Sequence, residues 1–82
     1  PGWELKGKQL VKTYTFGSFR EAIDFVNSIA ELAERVNHHP DMQINFKKVK
    51  IACWTHKYNA ITEADTELSG EVEKVAQQFI AP

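Results

Sequence analysis

The 82-residue chain has a single cysteine, Cys53, so no internal disulfide can brace it and a disulfide scaffold is excluded. It has no excess of either charge: ten basic residues stand against eleven acidic ones, for a formal net charge of -1. That balance leaves no electrostatic footprint for nucleic acid or for an anionic membrane. The one clustered basic run, "KKVK" at 47–50, reads as a solvated turn and strand edge. Apolar runs are too short for a membrane span, and no signal-peptide pattern opens the chain. The first residue is Pro1 rather than Met, which reads as a trimmed or processed chain. These absences fit a cytoplasmic protein, with a nuclear or organellar one left open by the trimmed start. No repeat, low-complexity tract or linker divides the sequence, so residues 1–82 read as one domain. A chain this short buries a modest core, and many such domains gain stability by associating.

What is present is an ordinary globular composition, 43% hydrophobic and 26% charged. "WEL", "KGK" and "LVKTYTF" read as strand, glycine turn and strand, a hairpin whose second strand holds Val11, Thr13, Tyr14, Thr15 and Phe16. Gly17 ends that strand, and Ser18 with Glu21 forms a capping box at the start of a helix. Phe19, Ala22, Ile23, Val26, Ile29, Ala30, Ala33 and Val36 recur at three- and four-residue steps, which predicts a helix over 19–36 with that apolar face. It must stop before Pro40. "MQINF" alternates Met42, Ile44 and Phe46 with polar residues, as a half-buried strand does. "VKIACWT" alternates Val49, Ile51, Cys53 and Thr55, and Cys53 there reads as a buried, inert thiol. Thr62 with Asp65 opens a last helix whose apolar stripe is Ala64, Leu68, Val72, Val75 and Phe79. The expected fold is α+β in the order β-β-α-β-β-α, a four-stranded antiparallel sheet with two helices on one face.

All three histidines, His38, His39 and His56, flank one predicted hairpin. In a compact sheet the end of the first helix and the end of the fourth strand can be neighbours. Imidazole gives or takes a proton near neutrality, so the three together make an acid–base site. Blander readings stand beside this one. His38 or His39 alone reads equally well as a helix C-terminal cap. Three histidines are also a zinc ligand set, but adjacent ligands suit one tetrahedral ion poorly and no second-shell pattern supports it. Asp65 by default caps the last helix, and Glu34 is by default an exposed helical carboxylate. No nucleophile elbow, phosphate-binding loop or zinc-finger spacing is present.

One further pattern is more specific. Glu34, three residues, His38-His39-Pro40, five residues, Phe46, nine residues, His56, eight residues, Asp65 resembles the signature of the pterin-4a-carbinolamine dehydratases. That family is also known as the dimerisation cofactor of a hepatocyte nuclear factor. "GWEL", "FGSFREA" and "WTH" extend the resemblance over the whole chain. It implies dehydration of 4a-hydroxytetrahydropterin, the adduct left by aromatic amino acid hydroxylases, to quinonoid dihydropterin, with no metal or organic cofactor. It implies catalytic roles for His38, His39 and His56, and pterin contacts from Asn37, Trp54, Thr55 and Lys57, with Glu34, Pro40 and Asp65 in support. It implies a homo-oligomer, dimer or tetramer, and in some relatives a transcription-factor partner bound through a helix surface; the stripe of the last helix is the expected self-association surface and could serve the second role, though such a stripe is more often core or a self-association seam. The chain departs from the family at Lys57, where an acidic residue is usual, at Asn59-Ala60 in place of a glycine-rich turn, and at Trp54 in place of a smaller residue.

Overall fold

Gly7, at φ +60, takes the left-handed first position of a two-residue turn and closes the chain's first hairpin. The computed structural model describes residues 2–80, so Pro1, on which the reading of a trimmed chain rests, lies outside the described residues. The elements are β1 (Glu4–Lys6), β2 (Gln9–Thr15), α1 (Phe19–Val36), β3 (Asp41–Asn45), β4 (Lys48–Cys53) and α2 (Glu63–Ile80). All three strand pairings are antiparallel, and the order across the sheet is β1-β2-β4-β3. This is the α+β succession that the sequence predicts.

Register decides the two faces. Leu10 and Cys53, then Lys12, Ile51 and Met42, then Tyr14, Val49 and Ile44 share the face under the helices. Thr13, Lys50 and Gln43, with Thr15, Lys48 and Asn45, share the other. The core forms between the first face and the helices around Tyr14, Phe16, Phe25, Ile29, Val49, Ile51, Cys53, Leu68 and Val72. Lys12 is a charged residue on the apolar face, and its partner explains it: Nζ is 2.7 Å from Glu73 Oε1 of α2. Tyr14 Oη donates to the same oxygen at 2.6 Å, so one carboxylate ties α2 to β2.

Three expectations need correction. In α1 the capping box forms as predicted, with the Glu21 amide donating to Ser18 Oγ and the Gly17 amide to Glu21 Oε1. The buried face, however, is Ala22, Phe25, Ile29, Leu32 and Ala33, turned by roughly 60° from the predicted stripe. Large rings decide it: Phe25 packs 4.8 Å from Phe16 and 5.4 Å from Tyr14 between ring centroids. Phe19 and Val36 are left exposed. Second, β3 is an edge strand rather than half-buried: Ile44 is exposed, and Phe46, 67% exposed, sits in the β3-β4 turn. Its φ is +53, the turn position that Gly7 fills in the first hairpin. Third, Leu68 and Val72 are 2% and 0% exposed, inside the protein's own core. The stripe on α2 therefore does not offer those residues to a second copy or to a transcription factor.

Candidate functional site

Helix α1 ends at Asn37, whose left-handed backbone (φ 55, ψ 42) turns its amide back to the Ala33 carbonyl. Asparagine accepts this conformation at lower cost than most side chains. The His38 amide bonds the same carbonyl at 3.1 Å. The chain therefore leaves the helix axis between Asn37 and Pro40, and the two adjacent imidazoles find different partners.

His38 meets α2. Its Nε2 lies 2.6 Å from Asp65 Oδ1, and the Asp65 side chain is fully buried. The second oxygen, Oδ2, accepts from Thr55 Oγ1 at 2.7 Å and from the Thr62 amide at 2.9 Å. Burial alone would raise this carboxyl, but the hydrogen bonds from His38, Thr55 and the Thr62 amide outweigh it and hold it below its ordinary 3.8. An ionised carboxylate only accepts, so the His38 Nε2 carries the proton and Nδ1 is the free ring nitrogen. The bond from the Thr62 amide is one arm of the predicted T-x-x-D cap. The other arm does not form, because Thr62 Oγ1 pairs with Thr55 Oγ1 at 2.8 Å. Asp65 is thus both helix cap and histidine partner.

His39 turns back along α1, its Nε2 2.5 Å from Glu34 Oε2, on an exposed surface. His56 lies beyond β4, in a turn closed by the Thr55 amide on the Ala60 carbonyl at 2.9 Å. Asn59 takes φ +50 there, a left-handed conformation that asparagine accepts at lower cost than most side chains. The His56 Nε2 is 4.0 Å from Asp41 Oδ2, and its ring stacks on Trp54 with centroids 4.0 Å apart. Each of the three imidazoles therefore faces a carboxylate through Nε2.

One open cavity of about 310 Å³ is lined by Asn37, His38, His39, Trp54, Thr55, His56 and Lys57. It brings together every residue expected to touch a ligand. The supporting residues divide: Asp65 and Glu34 each hold a histidine at the rim, while Pro40 follows the pair and is partly buried. Cys53, buried beneath, has its thiol pushed up to about 12 by burial and then by the charges of Asp65 and Asp41. It stays a neutral thiol. Among the described residues, no helix is long and apolar enough to cross a membrane.

The sequence model of the family described as pterin 4 alpha carbinolamine dehydratase matches residues 1–75. The chain belongs to that family. It is 47% identical over 76 residues to a protein of Thermomicrobium roseum named "putative pterin-4-alpha-carbinolamine dehydratase", a match covering 93% of this chain and 82% of that one. A protein of Dechloromonas aromatica with the same name is 40% identical over 77 residues, covering 94% and 69%. Among solved structures, a transcriptional coactivator/pterin dehydratase from Brucella melitensis superposes with a TM-score of 0.85 at 27% identity, over 92% of this chain and 82% of that one. A pterin dehydratase-like protein described as a RuBisCO assembly factor in the alpha-carboxysome gives 0.79 at 25% identity, over 93% and 90%.

In this pterin carbinolamine dehydratase family member, Asp41 escapes the sequence reading and Thr62 is read there only as a helix cap. Asp41 accepts from Trp54 Nε1 at 2.8 Å and faces His56. Thr62 bridges Thr55 and Asp65. Asp41 had a signal, a carboxylate directly after the His-His-Pro run, but only the β3-β4 register brings it opposite the end of β4.

Proposed function

We propose that this chain dehydrates a 4a-hydroxytetrahydropterin to the quinonoid dihydropterin by histidine acid–base catalysis. That step returns the pterin spent by aromatic amino acid hydroxylases to a reducible form. The observation that carries the reading is the set of three imidazoles, two bonded through Nε2 to carboxylates and the third 4.0 Å from one, around one cavity lined by Asn37, Trp54, Thr55 and Lys57.

The chemistry suits that arrangement. Hydroxide leaves C4a poorly, so a protonated imidazole delivers a proton to the hydroxyl and water departs. The N5 lone pair forms the C4a=N5 bond, and a neutral imidazole removes the N5 proton. One proton is given and one is taken, and each transfer contributes typically ~10²–10⁴-fold. His38 and His56 act as alternate acids towards the two faces of C4a, and His39 orients the ring and serves the N5 side. Carboxylates on Nε2 keep His38 and His39 oriented and stabilise the imidazolium that forms, Trp54 stacks on the ring of His56, and Nδ1 of His38 stays free for exchange. No step needs a metal or an organic cofactor.

The test is turnover of a synthetic 4a-hydroxytetrahydropterin, followed for both C4a stereoisomers. His38→Ala and His56→Ala should each lower kcat more than they weaken binding, and the double change should not be additive. His39→Ala should chiefly raise KM. A folded triple variant turning over at the wild-type rate would end the proposal. A second reading, a protein-binding module, draws support from the two structural neighbours described as a coactivator and as an assembly factor. Under it the wild-type chain is inert towards both stereoisomers.

A further inference from the structure

The ring of His56 is held differently from the other two. His38 rests on a fully buried carboxylate and His39 on a carboxylate at 2.5 Å. His56 sits in a solvent-facing turn, 61% exposed at its side chain, and its nearest carboxylate oxygen is 4.0 Å away. What touches its ring is Trp54, at a centroid distance of 4.0 Å and an interplanar angle of 35°. Trp54 is itself anchored: its Nε1–H donates to Asp41 Oδ2 at 2.8 Å. Register explains why the two meet. Asp41 pairs with Ala52 on the sheet face away from the helices, and Trp54 is the next residue of the chain with that phase.

We propose that Asp41, acting through Trp54, is a positioning residue that fixes the His56 imidazole beside the cavity. This rests on the dehydratase reading for its kinetic consequence, though not for its geometry. A charge-assisted hydrogen bond stops the indole from rotating, and the indole face then limits the imidazole to one tilt. Asp41 Oδ2, 4.0 Å from Nε2, adds a weaker, solvent-screened electrostatic pull. The indole wall comes with a carboxylate in place to hold it. Acid catalysis needs the donor nitrogen aligned with the leaving hydroxyl, and a misplacement of about 1 Å costs up to ~10²-fold in rate.

Two measurements on the full chain test this. In proton NMR at fixed pH, the His56 ring protons should lie upfield of those of His39, because the indole shields them. Asp41→Ala and Trp54→Ala should move them towards His39, while Asp41→Asn, which keeps an oxygen for the indole N–H, should retain most of the shift. In kinetics, Asp41→Ala should lower kcat roughly tenfold for the C4a stereoisomer that His56→Ala also slows. The other stereoisomer should keep its kcat, and KM should change little for either. An unchanged His56 shift in folded Asp41→Ala overturns the proposal, and so does equal slowing of both stereoisomers. Wild-type protein inert towards both stereoisomers would remove the dehydratase reading instead, and the ring-proton shifts would still decide whether Asp41 holds His56.

Discussion

Replacing Asp65 by asparagine changes one oxygen for an amide nitrogen in a fully buried side chain that binds three groups. The surviving oxygen would keep facing Thr55 Oγ1 and the Thr62 amide, which need an acceptor. The new NH₂ would then meet His38 Nε2, and two donors cannot share that bond. His38 must move its proton to Nδ1, which removes the free ring nitrogen that the proposed mechanism uses. Each charge-assisted bond replaced by a neutral one loses on the order of 1 kcal/mol, so the fold should lose about 2–3 kcal/mol. For a chain of this size that lowers Tm by roughly 10–20 °C. The rate should fall further than stability explains, by on the order of 10²-fold in kcat, the lower end of what one acid–base group contributes. Glu73→Gln is the control: it weakens the α2-β2 tie, lies outside the cavity lining, and should lower Tm while leaving kcat alone. The assay is steady-state turnover of both C4a stereoisomers, with circular dichroism to certify folding. A folded Asp65→Asn variant with kcat within about twofold of wild type would refute the tautomer argument.

Three further outcomes are expected. Burial would raise the Glu73 carboxyl, but hydrogen bonds from Lys12, Tyr14 and Gln77 lower it from 4.5 to about 2. Its contribution, about 1–3 kcal/mol after solvent screening, is therefore complete above pH 4.5 and lost as pH falls towards 2. Melts of wild type and Glu73→Gln should differ most above pH 5 and converge in acid; a gap that widens in acid would reverse the sign. Asp65, also lowered, adds to the same acid loss in both proteins. Leu68→Asp or Val72→Asp should unfold the chain rather than give a folded monomer, because each places a charge in the core; native circular dichroism from either would contradict the burial. Cys53, buried with its thiol pushed up to about 12, should resist an alkylating reagent until denaturant is added. Native labelling at the denatured rate would show the site beneath the cavity to be open.

The candidate site was more legible in the sequence than the packing around it, and the reason is physical. The run from Glu34 to Asp65 is a set of polar residue types at fixed spacing, and spacing survives any modest rotation of a helix. A helix face does not. Counting apolar residues gave Phe19, Ala30 and Val36 the same weight as Ile29, whereas burial depends on bulk and on what lies opposite. Phe25 and Leu32 win because Tyr14 and Phe16 present rings to that side. The same limit hid Asp41. Its chemistry was written beside Pro40, but its role depends on which residue of β4 it faces, and register is a property of two segments at once. Asp65 shows the converse. Read alone it was a helix cap, and it is one, through the Thr62 amide; the oxygen left over is what orients His38. A residue that completes a local rule with one atom and a distant contact with another is visible to sequence reasoning only by half. The half that the sequence hides is the one that orients an imidazole at the cavity.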